Sequence, residues 1–349
     1  MQPINTTPFA MDAAVIFDKN GAEHFLIALK ATYSIQLIGA QASLHLAETQ
    51  QPLQPGDSFT RPETPEHSSI AQEAEMGPPK PATDLFLHGF ACAPHAQANA
   101  VEVRFRLGSV EKRAAVFGDR FWLRQMGTPM ASQARPFDKI PLLYENGFGG
   151  IDQNPDDPRL FVAEPRNPVG RGFRVKQSKR PWEQEQLPNI EEIGKLLSHP
   201  EQQLNPMGFG PIGRHWQPRM GYAGTYDQQW SEQRMPLLPL DFDERFHLAA
   251  APDLIYPGYL QGGEPVLVQG CTHGGPVSFL LPVVRPQARI RLRSEDAFPA
   301  LHCQSASVDM ARMELRLLWK AVLNVHRKLH HVQEYECRLE NSQASEQPA

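Results

Sequence analysis

Proline sets the first limit on what this chain can fold into. Its 33 prolines are spread over 349 residues, about twice the usual share. Each fixes φ and removes a backbone donor, so it suits turns, strand ends and extended segments rather than helix interiors. Twenty-five glycines add further breaks. Long helices are therefore excluded over most of the chain. An apolar content of 41% still provides for a sizeable core. The expected class is mainly β, with antiparallel sheets in a sandwich or barrel-like arrangement.

Local patterns support that class. Ala13 to Phe17 is a short apolar run, and Asp18-Lys19-Asn20-Gly21 follows. Asn-Gly supplies the positive φ that a tight hairpin needs. Phe25, Ile27, Leu29, Ala31, Tyr33 and Ile35 then alternate with Lys30, Thr32 and Ser34, as in a half-buried strand. Residues 50–82 are polar and Pro-rich and read as an excursion over the surface. Leu85 to Ala91 is apolar on both faces, as in a central strand. Val101, Val103, Phe105 and Leu107 predict a second hairpin with Val110 to Trp122.

From Pro136 to Pro265 the periodicity fades into Gly, Pro, Asn, Asp and aromatics. Short helices are expected at Ile190–Leu197 and Glu244–Ala250, the second stopped by Pro252. Strands resume at Val266–Val268, Val277–Leu281 and Ile290–Leu292. Leu315 to Val325 and Leu329 to Leu339 read as a late hairpin. The expectation is a single domain over residues 1–339. Its β-rich parts, 1–135 and 266–339, flank an irregular region at 136–265, and residues 340–349 form a disordered tail.

A net charge of −5 argues against a dedicated nucleic-acid binder. No apolar run has the length of a membrane helix, and residues 1–17 lack the basic start of a signal peptide. The expected location is the cytoplasm. Cys92, Cys271, Cys303 and Cys337 are widely separated, with no CxxC pair, so reduced thiols in or near the core are expected.

Candidate chemistry is sparse. His326, His330 and His331 have a zinc-like spacing only if helical, and the local alternation predicts a strand instead. Asp152, Asp156 and Asp157 lie in a loop without calcium-loop spacing. Asp241 and Asp243, two apart, are a candidate acid–base pair on one strand face. The competing reading is a helix cap plus an ion pair with Arg245. Six basic residues between Pro165 and Trp182 (Arg166, Arg171, Arg174, Lys176, Lys179 and Arg180) are uninterrupted by any acid and are a candidate patch for steering an acidic partner. Phe209, Trp216, Tyr222, Tyr226 and Trp230, with Arg214, Arg219 and Arg234, suit a protein interface, a carbohydrate platform or a local mini-core. No nucleophile motif, phosphate loop, metal site or cofactor site is found.

An ordered set of short words runs through the chain. Asn5-Thr6-Thr7-Pro8-Phe9, Lys80-Pro81 with Thr83-Asp84, Gly118-Asp119-Arg120, and Pro141-Leu142 with Phe148-Gly149-Gly150 come first. Asn167-Pro168-Val169-Gly170-Arg171-Gly172-Phe173, Leu187-Pro188-Asn189-Ile190-Glu191 and Pro206 to Ile212 follow. Then come Trp216-Gln217-Pro218-Arg219, Gly224-Thr225-Tyr226-Asp227 with Trp230, and Leu238 to Asp243. In this order, over residues 4–339, the words resemble the large DUF-type adaptor family encoded beside type VI secretion effectors. That family is distinct from the small Eag chaperones and the Tap-type adaptors. Where relatives often carry Arg after the Trp of Leu317-Leu318-Trp319, this chain has Lys320.

The resemblance implies a cytoplasmic, non-enzymatic protein that binds and stabilises a toxic effector and helps load it onto the VgrG or PAAR spike protein, with or without a co-chaperone. It implies no catalytic residue, cofactor, metal, nucleic acid or membrane. The residues expected to contact the partner, or to form the framework beneath the contact, are Arg171, Arg174, Trp216, Arg219, Tyr226, Asp227, Trp230, Asp241 and Asp243. The alternatives are a hydrolase using Asp241 and Asp243, and a carbohydrate-binding module.

Overall fold

Alternation of apolar and polar residues produces three larger sheets packed on one core. The structure, a computed structural model, describes residues 1–38 and 41–340. The chain is mainly β. The strands that build the sheets are β1 (Gln2–Asn5), β2 (Ala10–Phe17), β3 (Glu23–Ile38), β4 (Gln41–Leu46), β5 (Thr83–His88), β6 (Ala100–Leu107), β7 (Val110–Phe117) and β8 (Ile190–Glu191). They continue with β9 (Ile255–Tyr256), β10 (Pro265–Gln269), β11 (Val277–Leu280), β12 (Pro286–Arg291), β13 (Asp296–Ala297), β14 (His302–Asp309), β15 (Glu314–Asn324) and β16 (Glu334–Leu339).

The largest sheet has the order β9-β5-β14-β15-β3-β2, with β4 also paired to β3. The second has the order β8-β7-β6-β10-β11 and the third β1-β16-β12-β13. Most pairings are antiparallel; β5 with β14 and β1 with β16 are parallel. Among the described residues no sheet closes into a barrel.

The odd-numbered residues of β3, Phe25 to Tyr33, enter the core with Leu85 and Leu87 of β5 and Leu315 to Ala321 of β15. Val103, Phe105 and Leu107 of β6 meet them from the second sheet, and Ile290 and Cys337 from the third. All four cysteines are free and buried. The two early hairpins form as the sequence predicts. β5 is buried on both faces between β14 and β9.

Four expectations need correction. Ile190–Leu197 is not a helix: Ile190 and Glu191 pair with Val116 and Ala115 of β7, and the chain then turns through Gly194, at φ +81°. The late hairpin does not form, because both edges of β15 are already taken by β14 and β3. β16 therefore crosses to the third sheet and pairs with β1 and β12. Glu244–Ala250 shortens to one 3₁₀ turn at Glu244–His247. Residues 50–82 are no free surface excursion, since Ser68, Ser69, Glu73, Glu75 and Lys80 within them are buried.

That segment lies over the even-numbered face of the large sheet. Lys30 and Thr32 of β3, Lys320 of β15 and Asp84 of β5 are all buried on that face. The sheet is thus covered on both sides, by an apolar core on one and by a polar layer on the other. The irregular middle region consists of strands of two or three residues, 3₁₀ turns and one short helix, α1 (Gln228–Gln233). The tail expected at residues 340–349 lies, apart from Glu340, outside the described residues. No helix among the described residues is long and apolar enough to cross a membrane.

Candidate functional site

The polar layer is built from residues that strand alternation places inward. The Lys30 ammonium lies 2.7 Å from Glu75 and donates to the Pro52 carbonyl at 2.9 Å. Lys80 donates to Glu73 and, at 2.6 Å, to Asp84. Asp84 also accepts the Ala249 amide at 2.7 Å. Burial opposes the charge on Lys80, but the Asp84 and Glu73 carboxylates outweigh it and hold the ammonium above its ordinary range. Lys320 differs. Its ammonium donates to the carbonyls of Gly77 (2.9 Å) and Pro78 (3.4 Å) and, among the described residues, to no carboxylate. Burial, with Lys80 close by, pushes it down to about 7.

Lys80 and Lys320 lie at the base of an open groove of about 510 Å³. Pro78, Pro79 and Pro81 line one part of it, and Pro299 and Ala300 another. Tyr259 stacks on His302, with ring centroids 4.4 Å apart. The tip of the β2–β3 hairpin contributes Ile16, Phe17, Asp18 and Lys19, and Phe242, Glu244 and His247 come from the irregular region. The groove therefore combines prolines and aromatic rings with an ionic floor.

Two half-buried histidines lie near this layer. Burial pushes His88 and His247 down to about 4 each, with Arg316 near the first and Lys320 near the second acting in the same direction. An unfolded histidine titrates near 6.5. Each folded value lies below the unfolded one, so the unfolded chain binds more protons between those limits. Stability present above about pH 6.5 is therefore lost as pH falls towards 4, by up to about 1.4 kcal/mol per pH unit for each histidine. Urea midpoints measured from about pH 7 to about pH 5 should fall steadily, and less steeply in His247→Gln. A flat profile would contradict the assignment.

None of the nine sequence-predicted site residues lines this groove. Trp216 is buried, edge-on to Tyr144 at 5.4 Å. Arg219 is buried and donates to the carbonyls of Ile212 (2.7 Å) and Phe246 (3.1 Å). Arg174 is buried against Glu185 at 2.7 Å. Arg171 donates to the Glu145 carbonyl and to Asn146, both at 2.8 Å. These four form framework. Asp227 caps α1 by accepting the Trp230 amide. Tyr226, half exposed, packs edge-on to Trp230 at 4.7 Å.

The proposed patches also come apart. Arg166 pairs with Glu164, Lys179 with Asp156, and Arg180 with Glu185, so acids from neighbouring segments offset most of the basic stretch. Phe209 sits in the main core and Trp216 in a separate cluster, so the aromatics make no common platform. Asp243 caps the 3₁₀ turn and pairs with Arg245 at 2.6 Å, which holds its carboxyl below the usual range. Asp241 accepts the Thr225 amide and hydroxyl, which lower it too. Two carboxylates with separate donors, both held low, do not share a proton.

Among the described residues no group of His, Cys, Asp and Glu converges in a way that could hold a metal. Asp152 instead accepts from Val175 and Ser178, and Asp157 pairs with Arg159. The signal that marks the polar layer was present as charge in the middle of apolar strands. Lys30 stands between Leu29 and Ala31, and Lys320 between Trp319 and Ala321.

Comparison with curated proteins and with solved structures finds no match. The family model described as "Uncharacterized protein conserved in bacteria (DUF2169)" matches residues 20–320, and the chain belongs to that family.

Proposed function

We propose that this chain is an adaptor that binds a type VI secretion effector, stabilises it and helps load it onto the VgrG or PAAR spike protein. The observation that carries the reading is the groove. It is open, and large enough for several side chains of another polypeptide. Prolines and stacked rings give it a fixed apolar wall, the kind of surface that forms the centre of protein interfaces. Its two acids are engaged locally, Asp18 by the Asn20 and Ala22 amides and Glu244 by His247, and Lys80 is held by Glu73 and Asp84, which suits a shaped contact more than bond-making chemistry. Burial also pushes the Cys271, Cys303 and Cys337 thiols up to about 12, far from the reactive thiolate. The ordered words of the sequence support the same reading. It places the chain in the cytoplasm, without cofactor or nucleic acid.

The test is co-expression with the toxin encoded beside this chain. The expected result is co-purification and effector accumulation several-fold above that seen without the chain. An effector that accumulates and is secreted equally well alone contradicts the proposal.

A further inference from the structure

A second cavity, of about 260 Å³, lies farther along the same sheet face, where β14 turns into β15. Ser58 and Ser69 of the covering segment, His88 of β5, and Asp309, Arg312 and Arg316 are in its lining. Arg316 precedes Lys320 by four residues and shares its face of β15, and its side chain is 11% exposed. Its contacts are long: Gln72 and Asp309 at 3.4 Å and Ser307 at 3.5 Å, against an ordinary range of about 2.7–3.2 Å. The Arg316 Nε is buried without a partner. Arg312 is exposed, and among the described residues its side chain forms no hydrogen bond or ion pair.

Asp309 is the one acid in the lining, and its Oδ1 already accepts the amides of Ala311 (3.1 Å) and Arg312 (3.0 Å). Two other acids lie close by but outside the lining. Glu145 accepts from the Thr60 hydroxyl and from the Ser69 amide and hydroxyl, and Glu314 is next to Arg316 on the same strand face. Two guanidinia and one partly engaged carboxylate leave the cavity with a positive surplus. His88 feels it: burial and Arg316 push its ring down to about 4, Asp309 opposes them, and Arg312 adds to them. A weakly bonded guanidinium offers a planar fork of donors that matches two oxygens of one anion.

We propose that this cavity binds a small oxyanion, a carboxylate or phosphate group carried by a metabolite, between Arg312 and Arg316. The volume falls below the roughly 300–1,000 Å³ of pockets for drug-sized ligands, so the carrier has few other atoms. The inference does not rest on the adaptor reading, because cavity and groove share no lining residue.

The test titrates the full chain with inorganic phosphate and, separately, with succinate, each against sodium chloride of equal ionic strength. Calorimetry reads binding, and NMR of ring-labelled histidine reads His88, assigned with His88→Asn. At least one anion should bind saturably, with Kd of about 1 mM or tighter. Arg312→Gln should weaken it by about tenfold or more, with an unchanged thermal midpoint in chloride, since that side chain holds nothing in the fold. At about pH 5 the His88 ring should be mostly neutral in chloride and at least about half charged at saturation, because the anion offsets the two cations. Binding of phosphate alone identifies a phosphate carrier, and of succinate alone a carboxylate.

No saturable binding of either anion beyond chloride overturns the proposal. So does Arg312→Gln binding as tightly as the parent chain, or a His88 ring whose charge at about pH 5 is the same with and without the bound anion.

Discussion

Lys80→Ala should lower the unfolding free energy by at least about 3–5 kcal/mol, the range seen when one partner of a buried ion pair is removed. Lys80 is buried and is held by Glu73 and Asp84 together. Without it two buried carboxylates face each other with no counter-ion between them. Asp84 already has one oxygen with no hydrogen-bond partner. Burial already pushes Glu73 upward, so its carboxylate would be first to take a proton. The variant Glu73→Gln, Lys80→Met, Asp84→Asn removes all three charges, and replacement of buried ions by neutral groups is often close to neutral. It should recover most of the loss. Urea unfolding reads both. A single variant that loses less than about 1 kcal/mol, or a triple variant no better than the single, contradicts the account of this layer.

Gly149→Ala should cost about 2–5 kcal/mol, combining a strained backbone with overpacking. Gly149 sits at φ +150°, and a Cβ there would lie 2.1 Å from the Asn167 carbonyl oxygen. The close approach exists because residues 148–149 pair in parallel with residues 171–172. The Asn167 side chain locks the two segments together through the carbonyls of Tyr144 (2.8 Å) and Phe148 (2.9 Å). Gly127→Ala provides the comparison. Gly127 also has a positive φ, +83°, but nothing lies within 4 Å of a Cβ there, so its cost should stay near the ~1–2 kcal/mol of a left-handed residue. Equal effects at the two sites would contradict the packing argument.

These two cases show what the sequence could and could not reveal. Alternation identified β3, β6 and β15 and their inward faces, because a period of two survives wherever one face of a strand is apolar. The same reasoning placed Lys30 and Thr32 in water. Alternation reports two faces but not what covers the second, and here residues 50–82 cover it. That segment has few apolar anchors. It is held instead by Lys30 to Pro52 and Glu75, by Lys320 to Gly77, and by Gln50 to the backbone of Thr32. Such long-range polar contacts leave no periodic trace.

Residues 190–197 misled because Ile190, Ile193 and Leu197 fall at helical spacing, while Ile190 and Leu197 are buried by β7 and by a small separate cluster. The late hairpin failed for a topological reason that no local pattern carries. The words around Asn167 and Trp216 were legible as a set, but they mark framework: glycines at close approaches, a buried arginine bonded to carbonyls, and a tryptophan in a mini-core. The groove was partly marked by Lys80 and Pro81 in one of the words, yet its assembly joins the hairpin tip, the 78–81 turn, the 242–247 turn and β15.

The central claim is that this groove is where a partner polypeptide is held. Hydrogen exchange on the chain, alone and purified with the effector that the proposed function assigns to it, tests it most directly. The account predicts slowed exchange in residues 77–82 and 300–304 on complex formation. A stable complex in which those amides exchange as in the free chain, with protection elsewhere, would contradict it.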